Sequence, residues 1–149
     1  MELNWQWYTF EDLSRQELYA ILALRQQIFV VEQACAYLDC DDLDQRAWHL
    51  VGWQHHRPLA YLRVILPEKV GELPVIGRLL SHREIRGKGI GGKLLTLALQ
   101  QIQTKLPGSS IQISAQYYLL SFYKRFGFSP ISEIYEEDGI PHISMIRSG

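Results

Sequence analysis

The chain has 149 residues, 47% of them hydrophobic and 21% charged, with a formal net charge of -1. That length fits one domain, 1–149, of the usual roughly 100–200 residues, able to bury about 68–70% of its unfolded surface without disulfides or a metal. The composition excludes wholesale disorder, collagen and coiled coil, and the charge balance argues against nucleic acid.

No apolar run approaches the ~18 residues of a membrane span, and Met1-Glu2-Leu3-Asn4-Trp5 lacks the basic and apolar regions of a secretory signal. Cys35 and Cys40 are too few for a disulfide framework and read as reduced thiols of a cytoplasmic protein. The histidines show no metal-ligand spacing such as H-x-x-x-H, so no metal is expected.

Residues 2–8 alternate, with Leu3, Trp5 and Trp7 on one face, as a half-buried strand does. Ser14 and Glu17 form a capping box, opening a helix with Leu18, Ile21, Leu22, Arg25, Ile28 and Phe29 at helical spacing. Arg25 on that stripe reads as a snorkelling or edge residue, or as one that meets a substrate. Residues 34–46 read as a loop with Asp39, Asp41, Asp42 and Asp44, and strands follow at about 48–54 and 59–66 and at 75–81. After a glycine-rich turn, Ile90, Leu94, Leu97, Ala98 and Ile102 mark an amphipathic helix that Pro107-Gly108 stops. Residues 110–114 alternate as a strand, and 119–126 read as a short helix closed by Gly127. Two final strands flank Asp138-Gly139, a hairpin signal. The order β-α-β-β-β-α-β-α-β-β describes a single-domain mixed α/β fold, a mostly antiparallel sheet of six or seven strands with helices on both faces.

Between Glu84 and Glu133 there is no acidic residue, whereas Arg86, Lys88, Lys93, Lys105, Lys124 and Arg125 fall there. An anion-seeking segment thus lies between two acidic ones, 39–44 and Glu136-Glu137-Asp138. Its centre is Arg86-Gly87-Lys88-Gly89-Ile90-Gly91-Gly92-Lys93, a turn between strand and helix. Unpaired N–H groups and the dipole at a helix start attract an anion, and glycines permit close backbone approach.

Gly87, Gly89 and Gly92 fit the dinucleotide fingerprint, but no acid follows about 20 residues on to hold a ribose. Gly87, Gly92 and Lys93 fit most of a P-loop, but Leu94 stands where Ser or Thr must bind magnesium. The remaining pattern, Arg-x-x-Gly-x-Gly at Arg86, Gly89 and Gly91, resembles the pyrophosphate motif of the GNAT superfamily of acetyl-CoA-dependent acyltransferases. In that superfamily the motif follows the fourth strand and opens the next helix, where it falls here. Leu79, Leu80 and Ser81 correspond to the strand that precedes it, with Ser81 in place of the usual Val. A second family pattern, Asn-x-x-Ala-x-x-Leu-Tyr-x-x-x-Gly-Phe, is matched in register by Gln116, Leu119, Phe122, Tyr123, Gly127 and Phe128, with Gln for Asn and Leu for Ala. The superfamily resemblance covers about residues 47–146. With Arg25, Phe29-Val30-Val31-Glu32-Gln33 and 135–142 added, the whole chain resembles the ElaA-type branch of small bacterial acyltransferases.

That resemblance implies direct transfer of an acetyl group from acetyl-CoA to a primary amine of a small molecule or peptide. Backbone groups of Arg86, Gly87, Lys88, Gly89, Ile90, Gly91, Gly92 and Lys93 would hold the pyrophosphate, and those near Leu79–Ser81 the pantetheine arm and thioester carbonyl. Gln116 would also touch the coenzyme, and Tyr123 would protonate the departing thiolate. His142 is the first candidate for the general base, followed by Glu137, Asp42, His49 and His82. The acceptor site is expected between the first helical region and the last hairpin, where both acidic clusters favour a cationic acceptor. Superfamily members often dimerise, and the strand edges allow a homodimer. Two other readings stand beside this one: an enzyme like the acyl-homoserine-lactone synthases, and an acyl-CoA-binding module without turnover.

Overall fold

A computed structural model describes residues 2–149. The alternating N-terminal segment forms β1 (Asn4–Thr9). Ser14 then caps α1 (Arg15–Arg25): its Oγ accepts from Glu17 N at 3.0 Å and its own N–H donates to Glu17 Oε1 at 2.8 Å. The helix does not stop at Arg25. It continues as a π-helical turn over Gln26–Glu32, a widened geometry that recurs at functional sites.

Strands β2 (Ala47–Gln54), β3 (Arg57–Ile65) and β4 (Val75–Ser81) follow, then α2 (Ile90–Lys105), β5 (Ile111–Gln116) and the short α3 (Leu120–Lys124). The chain closes with β6 (Ser129–Pro130), β7 (Tyr135–Glu137) and β8 (Ile140–Arg147). Asp138 (φ 53°) and Gly139 (φ 77°) both take the left-handed conformation that a two-residue hairpin turn needs. Strand β6 is absent from the sequence reading: two residues have no period to detect, and Pro130 suits a sheet edge, where no ladder donor is required.

The sheet has eight strands in the order β1-β2-β3-β4-β5-β8-β6, with β7 also paired to β8. All pairings are antiparallel except β4 with β5. Both faces carry a core. On one, Leu94, Leu95, Ala98 and Ile102 of α2 pack with Leu50, Leu62 and Val64 of β2 and β3, and Tyr123 and Phe128 join them. On the other, Ile21, Leu24, Ile28 and Phe29 cover Val51, Trp53, Tyr61 and Leu80.

Candidate active site

The parallel pair that joins the halves of the sheet is short. Val75 pairs with Gln112 and Ile76 with Ile113, and there the pairing ends, although β4 runs on to Ser81 and β5 to Gln116. Beyond Ile76 the backbone edge of β4 that faces β5 is therefore unpaired. A cavity of about 870 Å³ occupies this opening, walled by both strands, the π-helical turn and the β7–β8 hairpin. Strand β4 is irregular on its other edge too. Tyr61 pairs with Leu80 and Arg63 with Gly77, so Arg78 and Leu79 together face Leu62 in a bulge. Arg78 takes φ 53° there, a left-handed value uncommon for any residue but glycine.

At the far end of β4 the glycine-rich turn leads into α2. Gly89 is the N-cap, at φ 74°, and no side chain caps the helix. The first intrahelical bond of this turn runs from Lys93 N to Gly89 O at 3.1 Å, which leaves the N–H groups of Ile90, Gly91 and Gly92 at the open end of the helix. Nothing lies within 4 Å of a Cβ built on Gly87 or Gly89, whereas Phe122 and Phe126 stand 3.5 and 3.6 Å from ones built on Gly91 and Gly92, so the open space is over the turn itself. This uncapped terminus and the unpaired β4 edge are suited to a long, phosphate-bearing cosubstrate such as a coenzyme A ester.

Of the residues singled out in the sequence, the cavity brings together Leu79, Leu80, Ser81, Arg86, Gln116, Tyr123 and His142. Gly87 through Lys93 lie beyond its Arg86 end, outside the lining. The Arg86 side chain turns from the loop: its Nε donates to Ser81 O at 3.0 Å, and its guanidinium pairs with Glu32. Gln116 Nε2 is 3.5 Å from Gln33 Oε1. Gln33 thus reaches across the cavity to β5 and Glu32 to Arg86 beyond the end of β4, a role with no signal in a helical spacing pattern.

Tyr123 stands on α3, edge-on to Phe128 with ring centroids 6.0 Å apart. Burial, with a smaller contribution from Tyr118, pushes its hydroxyl up to about 12, so it carries its proton at neutral pH. On β8, His142 Nδ1 lies 2.7 Å from Ile140 O. A carbonyl only accepts, so Nδ1 holds the proton and Nε2 is the nitrogen free to take another. Glu137 Oε2 is 3.4 Å from Nε2, and Tyr135 stacks on the ring at 6.2 Å between centroids.

Of the other base candidates, Glu137 lines the cavity beside His142, and His49, Asp42 and His82 do not. His49 is buried, its ring between Tyr61 Oη at 2.6 Å and Asp44 O at 2.9 Å, and burial lowers its pKa. Neither Asp42 nor His82 lines the cavity; Asp42 accepts from Gln45, and His82 Nδ1 accepts from Glu84 N. Nor is Arg25 at an edge: it is wholly buried. Its Nε donates to Asp39 Oδ2 at 2.8 Å and its Nη1 to Asp44 Oδ1 at 2.7 Å. Arg63 donates to Asp44 Oδ1 at 2.9 Å and to both oxygens of Asp41. Arg78 contacts Asp39 and Asp41. Three arginines neutralise Asp39, Asp41 and Asp44, so these three form an internal ionic network and not an open cation site, and Asp42 alone of the cluster is exposed. Proximity of the aspartates in sequence is legible; their partners, from three other elements, are not. Among the described residues no three His, Cys, Asp or Glu side chains are grouped as metal ligands, and no helix is long and apolar enough to cross a membrane.

A mixed sheet that opens between β4 and β5, with a glycine-rich turn leading from β4 into α2, defines an acyl-CoA N-acyltransferase architecture. Residues 13–148 match the acetyltransferase (GNAT) domain, and the chain belongs to that family. It is 44% identical over 147 residues to a UPF0039 protein of Synechocystis, covering 98% of this chain and 96% of that one. It is 40% identical to protein ElaA of Escherichia coli, covering 97% and 96%. The crystal structure of an acyl-CoA N-acyltransferase from Pseudomonas aeruginosa superposes with a TM-score of 0.95 at 41% identity, covering 99% of this chain and all of that one.

Proposed function

We propose that this protein transfers an acetyl group from acetyl-CoA directly to a primary amine of a small molecule or peptide. The observation that carries the reading is the unpaired β4 backbone along a cavity that reaches Arg86, with the uncapped start of α2 beyond that end. Backbone groups of Leu79, Leu80 and Ser81 pair with the pantetheine arm and polarise the thioester carbonyl, a donor worth about 3–4 kcal/mol in the transition state. The N–H groups between Gly87 and Lys93 hold the diphosphate, and Arg86, bound to Ser81 and Glu32, braces the turn. Gln116 closes the coenzyme side.

His142 takes a proton from the incoming ammonium at Nε2, with Glu137 beside it, and Tyr123 gives its proton to the departing thiolate. The amine attacks the carbonyl carbon, the C–S bond breaks, and the products are an amide and coenzyme A. The acceptor enters between the π-helical turn and the hairpin. With Asp39, Asp41 and Asp44 neutralised by arginines and Asp42 outside the cavity, Glu137 and Asp138 are the carboxylates that favour a cation there. The free Cys35 and Cys40 suit a reducing cytoplasm.

Thermal shift with acetyl-CoA, coenzyme A, NAD and ATP tests the donor. At about 100 times Kd, both coenzyme A forms are expected to add roughly 2.7 kcal/mol and the other two nothing; no response to either coenzyme A form sinks the reading. A screen of amines by thiol release then finds the acceptor. Tyr123→Phe is expected to lower kcat roughly 10²-fold or more while leaving coenzyme A binding intact. An unchanged kcat would assign the proton to another donor.

A further inference from the structure

Strand β4 is tethered at one position by a loop far away in sequence. From Gly77 onward its β5-facing edge has no strand partner, and on its β3-facing edge Arg78 and Leu79 bulge out opposite Leu62. Gly77 has nothing within 4 Å of a built Cβ, so no side-chain packing steadies it. A segment free on one edge and bulged on the other has little in its own backbone to hold one conformation, and a left-handed non-glycine residue persists only where its surroundings over-determine it.

The Arg78 side chain supplies that determination. Its Nε is 2.8 Å from Asp39 Oδ1, an ion contact too bent for a hydrogen bond. Its Nη2 donates to Asp39 O at 3.0 Å and to Asp41 Oδ2 at 3.3 Å. The guanidinium lies over the Tyr37 ring, 5.5 Å from its centroid, and the Tyr37 hydroxyl donates to Asp39 Oδ1 at 3.0 Å. Arg25 fixes Asp39 and Arg63 fixes Asp41 in turn. Among the described residues the hydrogen bonds, ion pairs and cation–π contact of the guanidinium all come from residues 37–41, and that loop is itself pinned by two buried arginines.

We propose that Arg78 is a positioning residue, held by Tyr37, Asp39 and Asp41 in the left-handed conformation that aims the bulged β4 backbone at the thioester carbonyl. This rests on the acetyl-CoA reading above. It differs from a direct role for the guanidinium because what matters is the backbone angle at position 78. Glycine reaches that angle without a tether, and alanine does not.

The test needs no acceptor. Acetyl-CoA carrying ¹³C at the thioester carbonyl is bound to wild type, Arg78→Ala and Arg78→Gly, and its carbonyl stretch is read by isotope-edited infrared difference. Calorimetry gives the affinity for free coenzyme A. Wild type is expected to lower the stretch relative to free acetyl-CoA. Arg78→Ala loses most of that shift yet still binds coenzyme A, and Arg78→Gly regains a substantial part of it. Where an acceptor is in hand, kcat of Arg78→Ala falls roughly 10²-fold with KM for acetyl-CoA maintained. Asp41→Asn, which leaves β4 untouched, diminishes the shift when Arg78 is present and has no further effect beside Arg78→Gly; this comparison decides the matter should Arg78→Ala fail to fold. A full shift in Arg78→Ala, equal losses in the alanine and glycine variants, or a further loss from Asp41→Asn beside Arg78→Gly overturns the proposal. Failure of wild type to bind acetyl-CoA is seen before any variant is compared; it removes the acetyl-CoA reading, and this inference with it.

Discussion

Arg25 occupies a position on α1 next to Leu24, where a guanidinium alone would be very costly to bury. It is tolerated because Asp39 and Asp44 meet it at 2.8 and 2.7 Å and Asp39 O accepts a further bond at 3.0 Å. Removing one partner of such a pair leaves the others charged and buried, so Arg25→Ala is expected to destabilise the fold by about 3–5 kcal/mol in urea denaturation. Arg57→Ala, which breaks an exposed pair with Glu84, is expected to leave the midpoint in place. Equal effects would mean that the buried network does not hold the fold. The same network has an acid signature. Burial raises the Asp41 carboxyl, but Arg63 and then Arg78 outweigh it and hold it at about 2; Asp44 is likewise held low against burial by Arg25 and Arg63. Folded values lie below the unfolded value of about 3.9, so this contribution is full above about pH 4. It is lost as pH falls toward about 2. Wild-type stability should drop across that window, and Asp41→Asn, though less stable at neutral pH, should drop less. A parallel decline in both would place the acid sensitivity elsewhere.

The elements most legible in the sequence are those whose signals are local. The Ser14–Glu17 capping box, the Asp138-Gly139 turn and the glycine-rich start of α2 are each set by a few adjacent residues, and each forms as the spacing predicts. The π-helical turn and the β4 bulge are not legible. Their contacts lie on other elements, Glu32 with Arg86 and Arg78 with Asp39 and Asp41; Gly77, a glycine within a strand, is the one local hint of the second. The proposed diphosphate contact can be tested at the level of the element itself. Gly89 adopts φ 74° with open space around a built Cβ, so Gly89→Ala introduces no clash and acts only through the left-handed backbone, at about 1–2 kcal/mol. That penalty falls on the turn that aims the helix N–H groups. Coenzyme A affinity is expected to weaken roughly tenfold, the equivalent of about 1.4 kcal/mol, with the far-ultraviolet circular dichroism spectrum unchanged. Wild-type affinity in this variant would show that the diphosphate does not depend on the geometry of the turn.

At the scale of the whole molecule, the order of elements foretells the mixed sheet and its two helical faces, while the opening of the sheet follows from a pairing that stops early. Strands β1 to β4 form one hydrogen-bonded block and β5 to β8 another, and two register pairs join them. Such a junction leaves Gly77–Ser81 and Ser114–Gln116 facing each other across the cavity without a ladder between them, and backbone amides not held in a ladder exchange readily. A cosubstrate arm laid along β4 would supply the missing bonds to one strand and screen the other. Hydrogen exchange with and without acetyl-CoA should therefore show new protection in residues 77–81 and 87–93, less in 114–116, and none in β1 and β2, which lie away from the opening. Protection of 87–93 alone would mean that the diphosphate binds while the pantetheine arm lies elsewhere. Uniform protection of every strand would mean that binding simply lowers global unfolding, and the opening between the two blocks would then have no special part in holding the cosubstrate.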